Sequence, residues 1–217
     1  MSVTLAELVV ADPPASWREA GFSVDDDGSC WVGAVRIRLV GTEHGTGIVG
    51  WALGGVPAGT SDVDGIPTIP AAPATVEPSR PSEHPNGVTH LDHVVLLSPD
   101  LARTTAALRS LGLDVRRERD GTLGGAAMRQ VFFRLGEVIL EVVGSPDAQG
   151  EGPSSLWGLT HTVPDIDAAA RLLGERTSPV KDAVQPGRRI TTLRHRDLEM
   201  SVRTALISPH VRRTERQ

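Results

Sequence analysis

Apolar and polar positions along residues 88–207 repeat one order of predicted elements twice. His90–Leu97 is an apolar run typical of a β-strand, and Ser98-Pro99-Asp100 after it has the composition of a helix start. Leucines at helical spacing continue as far as Gly112, a natural helix stop. Three strand-like segments complete the unit: Leu113–Arg119, Met128–Leu135 and Val138–Val143.

The second unit begins with a strand-like run at Leu156–Val163. A helix is predicted from about Asp165 to Leu173, and Gly174 ends it. Three further strands are predicted at Thr177–Val180, Arg188–Arg194 and Leu198–Arg203. The order strand, helix, strand, strand, strand therefore occurs twice, and an internal repeat of this kind predicts the fold.

The N-terminal residues form a shortened third copy in the pattern. Trp31–Gly41 aligns with Phe133–Gly144 after a slip of one residue, and Trp51-Ala52-Leu53 matches Trp157-Gly158-Leu159. Only a short segment before Gly21 is left for a helix. We therefore expect a reduced module that packs against the other two and supplies an extra strand or a dimer contact.

Prolines interrupt the pattern between Pro57 and Pro85, with Gly, Ala, Ser and Thr among them. Proline lacks a backbone donor and fixes φ, so the stretch is expected to be an extended linker outside any sheet interior. The predicted division of the chain is a reduced module at 1–56, a linker at 57–87, full modules at 88–145 and 155–208, and a tail at 209–217.

Composition narrows the classes of function. The formal charge of −5 argues against non-specific binding of nucleic acid, and no apolar run is long enough to cross a membrane. Cys30 is the only cysteine, so an intramolecular disulfide is excluded and a reducing cytoplasm is the expected location. The chain has no tyrosine, which removes phenol chemistry from consideration.

Two sequence segments resemble a known family. Leu91-Asp92-His93-Val94-Val95-Leu96, followed by Pro99-Asp100-Leu101, is similar to the opening of a module in the vicinal oxygen chelate superfamily of glyoxalases, bleomycin-resistance proteins and extradiol dioxygenases. Thr162–Ala169 is similar to the opening of the second module of such a pair. The resemblance implies an α+β fold, in which repeated βαβββ modules curl a mixed β-sheet into a cup with the helices outside.

The resemblance also implies a metal site. The usual ligands in the superfamily are a histidine on the first strand and a glutamate on the last strand of each module. Carried over to this chain, they are His93 and Glu141 in the first module and Glu199 in the second. The second histidine position holds Gly158. A divalent cation (Fe, Mn, Zn, Ni or Mg) held by three protein ligands, with Glu141 and Glu199 as catalytic carboxylates, is the expectation.

The apolar surroundings of Glu141 support an unusual role but leave an ordinary one open. A carboxylate inside the run Val138–Val143 costs several kcal/mol to desolvate unless it is paired or bound to a metal. The ordinary alternative is that His93 is a satisfied interior histidine and that Glu141 pairs with an arginine. The candidate arginines are Arg129, Arg189 and Arg194.

Two functions remain open at this stage. One is a metal-dependent lyase, isomerase or dioxygenase acting on a small organic metabolite; the other is metal-free binding or sequestration of a small molecule. Gly158 favours the second, and the joint presence of His93, Glu141 and Glu199 favours the first. A small molecule is the expected partner and a homodimer is compatible with both, whereas nucleic acid and membranes are not expected. The expected substrate-binding residues are Gln130, Phe132, Trp157, Gly158 and Arg189.

Overall fold

The computed structural model describes residues 2–71 and 83–210 of the chain. Within them, a 14-stranded mixed sheet carries three α-helices. The strands are β1 Thr4–Val10, β2 Ser29–Val32, β3 Val35–Leu39, β4 Ile48–Gly54, β5 Asp62–Val63, β6 Ile66–Ala71, β7 His90–Leu97, β8 Arg117–Leu123, β9 Ala126–Leu135, β10 Val138–Gly144, β11 Ser155–Thr162, β12 Lys181–Asp182, β13 Arg189–Thr192 and β14 Arg203–Ile207. The helices are α1 Pro14–Glu19, α2 Leu101–Ser110 and α3 Ile166–Leu173.

Strands β7 to β14 form the two βαβββ modules that the repeat predicts. In the first module β10 runs parallel to β7, and in the second β14 runs parallel to β11. The first strands of the two modules, β7 and β11, pair antiparallel. The eight strands are therefore ordered β8-β9-β10-β7-β11-β14-β13-β12, with one module on each side of the β7–β11 pair. The α+β fold class is confirmed.

Both helices of this pair begin in the same way. The Asp100 carboxylate accepts a hydrogen bond from the backbone N–H of Arg103 at 3.0 Å, and Asp165 accepts one from Ala168 at 2.9 Å. Such N-caps satisfy donors that the first helical turn leaves unpaired. Because each cap follows its strand at the same spacing, the two modules share one register. Gly158 accordingly stands in the second module where His93 stands in the first.

The N-terminal half contains two reduced modules rather than one. Strand β3 runs parallel to β1, and the antiparallel neighbour of β3 is β2, so these strands match the first strand and last hairpin of a full module. Strand β4 pairs antiparallel with β1 as β11 does with β7, and β6 runs parallel to β4. The described part of this second unit has no helix. The match between Trp51 and Trp157 thus marks the first strand of a further, helix-free copy.

Part of the predicted linker belongs to the sheet, which corrects the expectation for residues 62–71. Ile66 and Thr68 of β6 are buried, while Pro67 between them is exposed. Proline is tolerated there because β6 lies near an end of the sheet and is followed only by the two-residue strand β5. Residues 72–82 of the predicted linker lie outside the described part of the chain.

The end of the second module also differs from the prediction. Leu198, Met200 and Val202 are buried and alternate with polar residues, as in a strand, but the backbone turns through this segment. Glu199 has a φ of 54°, in the left-handed region that strands do not occupy. The last strand begins only at Arg203. The prediction of a strand at Leu198–Arg203 is therefore wrong, and the alternation reflects burial of one side of a turn.

The two halves of the chain pack together. Trp17 and Phe22 of the N-terminal half contact the ring of His161 on β11, which is fully buried. The Asp12 carboxylate accepts hydrogen bonds from Trp17 Nε1 at 2.9 Å and from the backbone N–H of Ser201 at 2.7 Å. Of the helices that the structure describes, none is long and apolar enough to cross a membrane.

Candidate functional site

His93 and Glu141 lie on the face of the C-terminal eight-stranded sheet that is opposite α2, which we call the cup. On β10, Val138, Leu140 and Val142 are buried beneath α2, and Glu141 alternates with them, so it faces the cup. Glu141 pairs in register with Val95, two residues after His93 on the neighbouring strand. Both side chains therefore lie on one face of two adjacent parallel strands.

Asp92 orients the His93 ring and selects its tautomer. The Nδ1 atom of His93 lies 2.8 Å from Oδ2 of Asp92. An ionised carboxylate only accepts hydrogen bonds, so Nδ1 carries a proton, and in this tautomer Nε2 is an acceptor. Nε2 lies 3.9 Å from Oε2 of Glu141, too far for a direct hydrogen bond. Two acceptors thus converge on one small space.

The buried Arg188 side chain binds the other oxygen of the Asp92 carboxylate. Nη2 of Arg188 donates to Oδ1 of Asp92 at 2.5 Å, and only 1% of the Arg188 side chain is exposed. Burial alone would raise the pKa of Asp92, but the hydrogen bonds from His93 and Arg188 outweigh it and hold that pKa well below its ordinary value. The remaining donors of Arg188 reach the Ser208 carbonyl at 2.7 Å and Nε2 of His210 at 3.1 Å.

Glu141 is held through an amide rather than by an arginine directly. Nε2 of Gln130, on β9, donates to Oε1 of Glu141, and Nε of Arg119 donates to Oε1 of Gln130 at 2.6 Å. Arg129, one of the arginines considered from the sequence, instead pairs with Asp120 at 2.6 Å. The network leaves Oε2 of Glu141 facing His93 while its other oxygen is occupied.

The second module does not supply matching ligands. Gly158 pairs with Val95 on one side and with Arg203 on the other. Because Glu141 lies two positions beyond the residue that pairs with His93, the equivalent position in β14 lies two beyond Arg203, at Ala205. A Cβ atom at Gly158 would lie 3.0 Å from the Arg203 carbonyl oxygen, so the backbone itself crowds that position.

Glu199 lies away from the cup. It is exposed in the turn that precedes β14, and its carbonyl accepts a hydrogen bond from Oγ of Ser16 in α1 at 3.4 Å. The three residues expected to bind a metal are therefore not brought together. Within residues 2–71 and 83–210, no three His, Cys, Asp or Glu side chains are arranged to hold an ion.

The residues expected to bind substrate separate into two groups. Gln130, Phe132 and Gly158 lie in cup-facing register positions, and Trp157 beside them is 43% exposed with the Arg203 guanidinium 4.8 Å from its ring centroid. Arg189 instead pairs with Asp167 of the outer helix α3 at 2.7 Å, which corrects its expected place in the cup.

Sequence reasoning missed Asp92, Arg188 and Arg203 as functional candidates. Asp92 could have been recognised from the sequence, because a carboxylate inside an apolar strand requires a buried partner. Arg188 gave none, since its contacts join residues distant in sequence. Arg203 was assigned to the wrong end of the last strand.

The donor set does not fit the metal that the resemblance implies. A divalent transition metal needs at least three protein ligands in most sites, whereas this cup offers His93 and Glu141. Glu141 already receives a hydrogen bond from Gln130, and the two opposite positions hold Gly158 and Ala205. The Asp92–His93 hydrogen bond is the one feature of the cup that metal-binding histidines commonly share.

In the N-terminal half, the strand positions equivalent to His93 and Glu141 hold Glu7 and Arg38. Arg38 of β3 pairs in register with Val9, two residues after Glu7, as Glu141 pairs with Val95 after His93. Nε of Arg38 donates to Oε1 of Glu7 at 2.9 Å, and Arg36 forms a second ion pair with Glu7. An ion pair thus occupies the position of the His93–Glu141 pair.

Comparison with known proteins agrees with this architecture. Residues 90–196 match the family model described as the glyoxalase/bleomycin resistance protein/dioxygenase superfamily. A mutant 4-hydroxymandelate synthase from Streptomyces coelicolor is 18% identical, with 98% of this chain and 93% of that chain covered at a TM-score of 0.62. Methylmalonyl-CoA epimerase from Mycobacterium tuberculosis is 19% identical, with 58% and 91% covered at a TM-score of 0.45. No curated protein sequence matches the chain significantly.

Proposed function

Because the chain carries a domain of the glyoxalase/bleomycin resistance/dioxygenase (vicinal oxygen chelate) superfamily, we propose that its C-terminal cup binds a small organic molecule without a resident metal ion. The observation that carries the proposal is the asymmetry of the cup. One module contributes a histidine and a glutamate, and the other contributes Gly158 and Ala205 at the same positions.

The environment of Glu141 supports a binding role. Its Oε1 accepts a hydrogen bond from Gln130, which Arg119 in turn orients, so the carboxylate is fixed by protein donors. A metal ion would have to compete with the amide for that oxygen or use Oε2 alone. His93 is likewise fixed by Asp92, with Nε2 directed at the space near Glu141. Two preorganised acceptors of this kind suit a ligand that brings its own hydrogen-bond donor.

A metal-dependent lyase, isomerase or dioxygenase is the second candidate. The Asp92–His93 pair favours it, because a carboxylate commonly orients a metal-binding histidine in this way. Under this alternative His93 and Glu141 would hold the ion, which would act as a Lewis acid on adjacent substrate oxygens, and water would fill the remaining positions. The two candidates differ in one measurable property, the affinity of the cup for a divalent cation.

Metal titration of the full chain separates them. After treatment with chelator, the protein is titrated by calorimetry with Mn²⁺, Ni²⁺, Zn²⁺ and, anaerobically, Fe²⁺. We expect no stoichiometric binding at micromolar concentration and the same result for His93→Ala. Stoichiometric binding that both His93→Ala and Glu141→Ala abolish would overturn the proposal in favour of the metal-dependent enzyme. Glu199→Ala is the control, since Glu199 lies outside the cup.

A further inference from the structure

Four residues lie in one row across the floor of the cup. The pairing of β10, β7, β11 and β14 places Glu141 beside Val95, Val95 beside Gly158, and Gly158 beside Arg203. Neighbouring strands are about 4.8 Å apart, so the two ends of the row are separated by roughly 14 Å along the sheet. The row therefore has a carboxylate at one end and a guanidinium at the other.

The acidic end of the row offers acceptors. Oε2 of Glu141 and Nε2 of His93 face each other at 3.9 Å, and the Asp92 bond directs the histidine proton to the far side of the ring. Two acceptors at this separation repel each other unless a donor lies between them. An amino group fits this requirement because its N–H groups can donate to both acceptors at once.

The basic end of the row is the guanidinium of Arg203. The Arg203 guanidinium lies over the Trp157 ring, at 4.8 Å from its centroid, and both side chains are exposed. Among the side chains that the structure describes, none forms an ion pair or hydrogen bond with Arg203. Stacking on the indole orients the guanidinium and leaves its N–H edges free for a carboxylate.

The two residues in the middle of the row, Val95 and Gly158, are small and apolar. Gly158 has no side chain, and Val95 beside it is half-buried. Phe132 pairs with Glu141 on the other side and extends the apolar lining. Gly158 thus leaves no side chain on the cup face between the two charged ends.

We infer that the cup binds a dipolar small molecule, with an amino group at one end, a carboxylate at the other and a flat apolar body between them. The donor lies between His93 and Glu141, the body lies over Gly158, and the carboxylate meets Arg203. This inference rests on the proposed metal-free function of the cup. It adds the ligand class, which the binding role alone leaves open.

A set of three probes tests both ends of the ligand. 4-Aminobenzoate carries donor, ring and carboxylate; 4-methylbenzoate lacks the donor; 4-methylaniline lacks the carboxylate. By calorimetry and ligand-observed NMR on the full chain, we expect 4-aminobenzoate to bind at least tenfold more tightly than either analogue. Equal affinities, or binding of none of the three at millimolar concentration, would overturn the inference.

Variants assign the ends. Arg203→Gln is expected to weaken 4-aminobenzoate at least tenfold and to leave 4-methylaniline unchanged, whereas Glu141→Gln should leave 4-methylbenzoate unchanged. Arg171→Gln removes an exposed arginine of α3 and serves as the matched control for charge. An equal loss in Arg203→Gln and Arg171→Gln would contradict contact with Arg203. Failure of this experiment leaves the metal titration unaffected, so the two proposals fail separately.

Discussion

Ala205 occupies in the second module the strand position that Glu141 occupies in the first. The relationship follows from the two parallel strand pairs, in which Glu141 faces Val95 and Ala205 faces Thr160. A methyl group thus replaces a carboxylate where the symmetry of the fold would complete a ring of ligands. The difference confines the His93 and Glu141 acceptors to the first-module side of the cup.

Restoring that carboxylate should restore metal affinity. Ala205→Glu adds a third oxygen or nitrogen ligand on the cup face opposite Glu141, so we expect its affinity for Zn²⁺ or Mn²⁺ to exceed that of the native chain at least tenfold, about 1.4 kcal/mol. Calorimetric titration measures the difference. Leu172→Glu places the same charge on exposed α3 and should leave the affinity unchanged. An unchanged affinity in Ala205→Glu would contradict the register argument.

The ion pair between Asp92 and Arg188 should dominate the stability of the cup floor. Asp92→Asn leaves the Arg188 guanidinium buried without its counter-charge, and we expect the free energy of unfolding to fall by about 3 kcal/mol. Urea denaturation measures it. Asp167→Asn breaks the exposed pair with Arg189 and should change stability little, because water screens that pair. Similar losses in both variants would show that burial of Arg188 is unimportant.

The buried His161 should make the protein less stable in acid. Burial lowers the pKa of His161 from 6.5 to about 3, and its ring nitrogens have no hydrogen-bond partner within the described residues. The unfolded chain therefore binds a proton below pH 6.5 that the folded chain refuses, so stability falls from about pH 6.5 towards pH 3. Urea denaturation between pH 7.5 and pH 5 should show a smaller slope with pH for His161→Leu.

The same variant provides a second check at pH 7.5. Removing two unsatisfied polar atoms from an apolar site between Trp17 and Phe22 should raise the free energy of unfolding by about 1 kcal/mol. His44→Leu changes an exposed histidine and should alter neither quantity. A pH slope identical in the native chain and in His161→Leu would show that other groups cause the acid sensitivity.

Asp64 should anchor the segment around β5 and β6 to the C-terminal cup. Its carboxylate accepts hydrogen bonds from Arg103 and Thr104 at 2.5 Å and from Ser154 at 2.6 Å. Asp64→Ala removes the counter-charge of Arg103 and one acceptor that the Thr104 and Ser154 hydroxyls share, so a loss of about 2 kcal/mol in the free energy of unfolding is expected. Asp62→Ala, at an exposed position two residues earlier, is the control. Equal behaviour of the two variants would indicate that the segment is a passive connection.

The repeat can be recognised from the sequence because local signals mark both copies. Asp100 and Asp165 each cap a helix after an apolar strand, and this spacing alone aligns His93 with Gly158. Local signals are less reliable at the last strand. Leu198, Met200 and Val202 alternate as a strand would, but burial of one side of a turn gives the same pattern, and the position predicted for Glu199 is wrong as a result.

The rest of the site depends on contacts between distant segments. Arg188 reaches Asp92 across almost one hundred residues, and neither residue predicts the other from its neighbours in the chain. The strands β5 and β6 could not be predicted for a different reason. The prolines in this segment indicate a linker, and the segment is extended as part of the sheet only because β6 pairs with β4.

The contacts of Arg188 have a practical consequence for handling the protein. The same guanidinium that holds Asp92 also binds the Ser208 carbonyl and His210, which follow the last strand. Residues 208–210 are therefore part of the support of His93, although they contribute no group to the row of Glu141, Val95, Gly158 and Arg203. Binding measurements on this cup require a preparation in which this segment is intact and unmodified.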